Sequence, residues 1–151
     1  MAHELTLNRL LDAPADKLYR LWTDPGRMHE WFCPKPWMVS HAVLDVRPGG
    51  ACNITMRGPN GEVMENPGQY LEVIANRKLV FTDAFTGDWV PKDGAPFMTA
   101  TVTFTPEGDK TRYAAVCRHW NAADKKKHEE MGFHPGWDIV ADQLEALAKT
   151  L

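Results

Sequence analysis

The chain has 151 residues, with 17 basic and 20 acidic side chains and a formal charge of −3. That length suits one domain, residues 1–151, able to bury a core and a modest internal cavity. The charge balance excludes a broad basic face for nucleic acid, and no stretch reaches the roughly 18 apolar residues of a membrane span.

The start, Met1-Ala2-His3-Glu4, lacks a basic region followed by an apolar run, so no signal peptide is predicted. Glu4 to Asp12 alternates and reads as a strand, which Ala13-Pro14 ends. Leu18, Leu21 and Trp22 then fall at helical spacing within Ala15 to Thr23. Pro25 suits a first helical position, and Arg27 to Phe32 reads as a second short helix. Cys33-Pro34-Lys35-Pro36 is a rigid connector.

Six strands are expected next: Met38 to Val46, Ala51 to Arg57, Glu62 to Ile74, Lys78 to Thr86, Phe97 to Thr105 and Thr111 to Trp120. The third should bend near Pro67-Gly68. In the fifth, Met98, Ala100, Val102 and Phe104 face one way, against four threonines. That is an antiparallel strand wet on one side. Asn121 is placed to cap a charged helix over Asp124 to Met131. Gly132, Pro135 and Gly136 interrupt it, and from Trp137 a stripe of Val140, Ala141, Leu144, Leu147 and Leu151 repeats with helical period.

The order predicts an α+β domain. A curved antiparallel sheet of six to seven strands wraps around a long C-terminal helix, with two short helices after the first strand. Between sheet and helix a cavity is expected. Its candidate lining is Trp31, Phe32, Trp37, Tyr70, Phe81, Phe85, Met98, Trp120 and Trp137, with Asn53 and Cys117 beside them.

Asp83 continues the face of Leu79, Phe81 and Phe85, and His119 continues that of Tyr113, Ala115 and Cys117. If both look into the cavity, they form the one acid–base pair the sequence allows. The other reading leaves Asp83 in water at a strand end and His119 in a quiet hydrogen bond. His119, His128 and His134 lack metal-ligand spacing, so no metal or cofactor is expected. Cys33, Cys52 and Cys117 have no base beside them in sequence and no CxxC pairing, and read as buried, reduced thiols of a cytoplasmic protein.

Several motifs recur in one order: Asp12-Ala13-Pro14, Leu21-Trp22-Thr23-Asp24-Pro25, Trp31-Phe32 and Asp45-Val46-Arg47-Pro48-Gly49-Gly50. Gly68-Gln69-Tyr70-Leu71-Glu72-Val73, Lys78 to Asp83 and Gly136-Trp137 follow. Together they resemble the START-like, or Bet v 1-like, helix-grip superfamily (SRPBCC, polyketide cyclase-like). Within it the chain is similar to the activator of heat shock protein 90 ATPase family. The resemblance implies a large aromatic where this chain has Asp83. It also implies a small hydrophobic or aromatic ligand in the cavity and no cofactor. The alternatives are a cofactor-free cyclase, dehydratase or hydrolase using Asp83 and His119, and a co-regulator of the chaperone ATPase. Exposed edge strands leave a homodimer open.

Overall fold

The computed structural model describes residues 3–151. In chain order it has β1 (His3–Leu11), α1 (Ala15–Trp22), a 3-10 helix (Pro25–Glu30), β2 (Met38–Leu44), β3 (Cys52–Arg57) and β4 (Val63–Asn66). There follow β5 (Gln69–Ile74), β6 (Lys78–Thr82), β7 (Met98–Glu107), β8 (Lys110–His119), α2 (Ala122–Glu130) and α3 (Phe133–Ala148). No helix among the described residues is long and apolar enough to cross a membrane.

The strands form a five-stranded sheet, β1-β8-β7-β6-β5, and a three-stranded sheet, β2-β3-β4. Every pairing is antiparallel. The described residues thus hold eight strands, where six to seven were expected. The extra one comes from Glu62 to Ile74, which divides at Pro67-Gly68. Pro67 has no N–H for a ladder. A Cβ on Gly68 would sit 2.8 Å from the Thr82 carbonyl oxygen and 3.1 Å from that of Cys52. Only glycine lets the chain pass this closely between the two sheets.

The sheets meet at a corner. Ala51 bridges Gln69, the Cys52 N–H donates to the Gly68 carbonyl at 2.9 Å, and the Tyr70 N–H donates to that of Gly50 at 2.9 Å. Joined this way, they form one curved surface. α1 and α3 pack into its hollow. α3 buries Val140, Ala141, Leu144 and Ala148 along one stripe. Each larger aliphatic of that stripe contributes about 1.5–3 kcal/mol of burial. Arg9 of β1 clips the outer face of α3 through Asp138 at 3.0 Å and Asp142 at 2.7 Å.

Two boundaries differ from expectation. α3 begins at Phe133, not at Trp137. Gly132 supplies a left-handed turn (φ 94°) before it, and Pro135 falls in the first turn, where a missing N–H costs nothing. β6 ends at Thr82, whose hydroxyl accepts from the Ala84 N–H at 3.2 Å and turns the chain out of the ladder. Residues 83–97 are therefore a loop, and Phe85 does not continue the inward face of β6.

Candidate ligand-binding cavity

A cavity of about 520 Å³ lies between the three-stranded sheet and α3. Its floor is β3, with Cys52, Ile54 and Met56 pointing inward. Opposite stand Phe133, Trp137 and Val140 of α3. The connector after the 3-10 helix closes one side with Phe32, Pro34 and Trp37, and Phe81, Phe97 and Met98 close another. Met64 of β4 and Met131 after α2 rim the opening, 40% and 60% exposed. Flexible thioethers at a mouth can reshape to what passes.

Part of the wall is an aromatic cluster centred on Trp22. Its ring lies 5.1 Å from Trp31, 5.5 Å from Phe32 and 5.9 Å from Phe81, and it stacks on Trp137 at 6.3 Å. The Trp22 indole N–H donates to the Tyr113 hydroxyl at 3.1 Å, so its polar edge is satisfied and its face is left for the cavity. Gln143 of α3 holds the connector in place. Its amide donates to the Trp31 carbonyl at 2.9 Å and to the Cys33 carbonyl at 2.8 Å. Gln143→Leu strips both carbonyls of their donor and is expected to cost about 1–3 kcal/mol in urea denaturation.

Few polar groups reach this space. The Asp83 carboxylate accepts from the Phe97 N–H at 2.9 Å, the Met98 N–H at 3.1 Å and the Lys92 ammonium at 3.2 Å. It pins the 83–97 loop to the start of β7. His128, on α2, also lines the cavity. Its Nδ1 is 2.8 Å from His119 Nε2. His119 is 6% exposed, and its Nδ1 donates to the His3 carbonyl at 3.0 Å. Burial, and after it His119, push the His128 pKa down to about 4.

The expected lining divides. Phe32, Trp37, Phe81, Met98 and Trp137 do line the cavity, and Asp83 is with them. Trp31 and Tyr70 are buried in the core behind it. Cys117 is packed in a second small core with Leu5, Ala100 and Phe133. Asn53 faces away and accepts from the Gly68 N–H at 3.1 Å. Phe85 leaves with the loop and meets Trp89 at 5.5 Å. Trp120, past the end of β8, is 52% exposed. Asp83 and His119 share the concave side, but no hydrogen bond joins them, and each is engaged by its own partners. His128 stands between His119 and the cavity, so an acid–base pair of Asp83 with His119 is not assembled. His134 is apart from both, beside Glu129 at 3.7 Å.

Sequence reasoning missed Trp22, Ile54, Met56, Lys92, Phe97 and His128 as lining. Trp22 and Ile54 carry no sequence signal that separates cavity wall from solid core. His128 lies on a helix with no apolar stripe, so nothing in the sequence marks it as reaching inward.

All three cysteines are free and buried. Burial pushes the thiols of Cys33 and Cys52 up to about 11 and that of Cys117 to about 12. Even Cys52, at the cavity floor, is a thiolate at pH 8 only on the order of one part in a thousand. Native protein is expected to react very slowly with a disulfide reagent such as dithionitrobenzoate, and all three thiols to react once unfolded.

A family model described as "Activator of Hsp90 ATPase homolog 1-like protein" matches residues 12–149. The chain belongs to this family. A crystal structure of a Nitrosomonas europaea protein is 39% identical, with a TM-score of 0.92, over 97% of this chain and 94% of that one. One from Mycobacterium smegmatis is 27% identical, with a TM-score of 0.76, over 95% and 89%. An AHSA1-like protein from Aeromonas hydrophila shares the fold at 18% identity, with a TM-score of 0.75, over 95% and 93%. No curated protein matches the chain. The helix-grip arrangement is thus the family's, here with β3, β4 and the 83–97 loop shaping the cavity.

Proposed function

We propose that this AHSA1-like domain binds one small, mostly apolar molecule between the three-stranded sheet and α3. The observation that carries the reading is the cavity of about 520 Å³, walled by Trp22, Trp37, Ile54, Met56, Trp137 and Val140. Pockets of roughly 300–1,000 Å³ with apolar walls and a few convergent polar groups are what small-molecule sites look like. An apolar guest would recover the dispersion contacts that the empty space forfeits. Asp83, Lys92 and His128 lie together around Phe97, whose N–H binds Asp83 and whose ring is 5.3 Å from His128, so the guest is expected to carry a polar end there on an apolar body. Lys92 is matched by Asp83 at 3.2 Å, which leaves no surplus charge there to favour an anion.

The test is titration with N-phenyl-1-naphthylamine, a neutral probe that brightens in apolar surroundings. Saturable one-to-one binding is expected, with Kd on the order of 100 μM, since about 0.3 kcal/mol per non-hydrogen atom gives this probe roughly 5 kcal/mol. A linear, unsaturable rise would remove the reading.

A further inference from the structure

The polar end of the cavity has a direction. We propose that His128 reads a hydrogen-bond donor on the ligand, so that the ligand is an apolar molecule carrying a hydroxyl group; this rests on the binding role proposed above.

Three groups fix where the protons sit. The His3 carbonyl can only accept, so His119 Nδ1, at 3.0 Å from it, holds the His119 proton. In the neutral tautomer that this carbonyl selects, His119 Nε2 is then a bare lone pair. It lies 2.8 Å from His128 Nδ1, which must therefore donate to it. His128 Nε2 is left without a proton, as an acceptor. No protein donor among the described residues hydrogen-bonds to it.

The rings are held as well as polarised. Phe97 sits 5.4 Å from His119 and 5.3 Å from His128, both edge-on or tilted, and Phe133 lies 5.1 Å from His128. The two imidazoles meet at 73° with centroids 5.1 Å apart. Of the residues of α2, only Asp124, Lys125 and His128 are not fully exposed, so His128 is the one ring this helix sends into the body of the protein. The other charged groups bordering the cavity are Asp83, Lys92 and Glu65. Asp83 is occupied by two backbone N–H groups and Lys92, which leaves it a weaker competitor for a ligand donor. A hydroxyl meets the requirement: it donates to His128 and is uncharged.

The experiment compares 1-naphthol with 1-methylnaphthalene, which replaces the hydroxyl by a methyl of similar size. Each displaces N-phenyl-1-naphthylamine from the full chain, after that probe's own Kd has been measured for every variant. The quantity read is the ratio of the two affinities. His128→Phe is expected to lower the naphthol-to-methylnaphthalene ratio about tenfold, as loss of one hydrogen bond to a buried acceptor does. His128→Gln retains an acceptor oxygen and should keep part of the preference. An unchanged ratio in His128→Phe, with both compounds still binding, overturns the inference and leaves the binding role standing. Failure of both compounds to bind the unaltered protein overturns both.

Discussion

Gly50→Ala should be the most damaging single methyl in the chain. The reason is local and geometric. A Cβ on Gly50 would lie 1.9 Å from the Asp45 carbonyl oxygen and 2.9 Å from its carbon. Both are backbone atoms, so no side chain can swing away. The corner must open instead. Opening it strains the hydrogen bond from the Tyr70 N–H to the Gly50 carbonyl and that from the Asp45 N–H to the Ala51 carbonyl, each 2.9 Å. The first joins the two sheets and the second closes the turn between β2 and β3 beside it, and the cavity floor hangs from both. Overpacking together with strained backbone bonds should cost at least about 3 kcal/mol. At roughly 2–4 °C per kcal/mol, the midpoint of a thermal melt followed by circular dichroism should fall about 6–12 °C. Gly61→Ala is the control. Gly61 has a left-handed φ, of 86°, which Gly50 lacks, but nothing lies within 4 Å of its added Cβ. It should cost only about 1–2 kcal/mol of backbone strain. If the two variants melt together, the corner is not what holds the sheets.

The second large effect is on binding. Met56→Trp should weaken N-phenyl-1-naphthylamine at least tenfold without lowering stability. Met56 is half-buried on β3 and points into the cavity from its floor. An indole there occupies the space the guest needs. It also fills a void, and filled voids regain packing contacts, so the thermal midpoint should hold or rise. Loss of binding together with loss of stability would instead mean that the cavity is required by the fold.

Much of this architecture is legible in the chain. The alternation at Met98, Ala100, Val102 and Phe104, and at Tyr113, Ala115, Cys117 and His119, matches the buried faces of β7 and β8. Val140, Ala141 and Leu144 do form the buried stripe of α3. Asn121 does cap α2, accepting from the Asp124 N–H at 2.8 Å. Alternation assigns a face, however, and not a depth. Trp31, Tyr70 and Cys117 are buried in solid core, while Ile54 and Met56 on β3 border empty space. That difference depends on how far the β2-β3-β4 sheet curls from α3, which is a property of the Gly49-Gly50 corner and the Pro67-Gly68 crossing together. His128 was hidden for another reason. Its helix shows no amphipathic period, and its partner His119 is reached only through the strand pairing that brings β8 back beside His3.

Whether the space between the three-stranded sheet and α3 is a binding site is decided by a crystal structure of the protein grown with N-phenyl-1-naphthylamine. Density for the probe is expected between Met56 and Trp137, with its amine toward His128. A probe seated only on the outer surface, or side chains closed over the cavity, would contradict it.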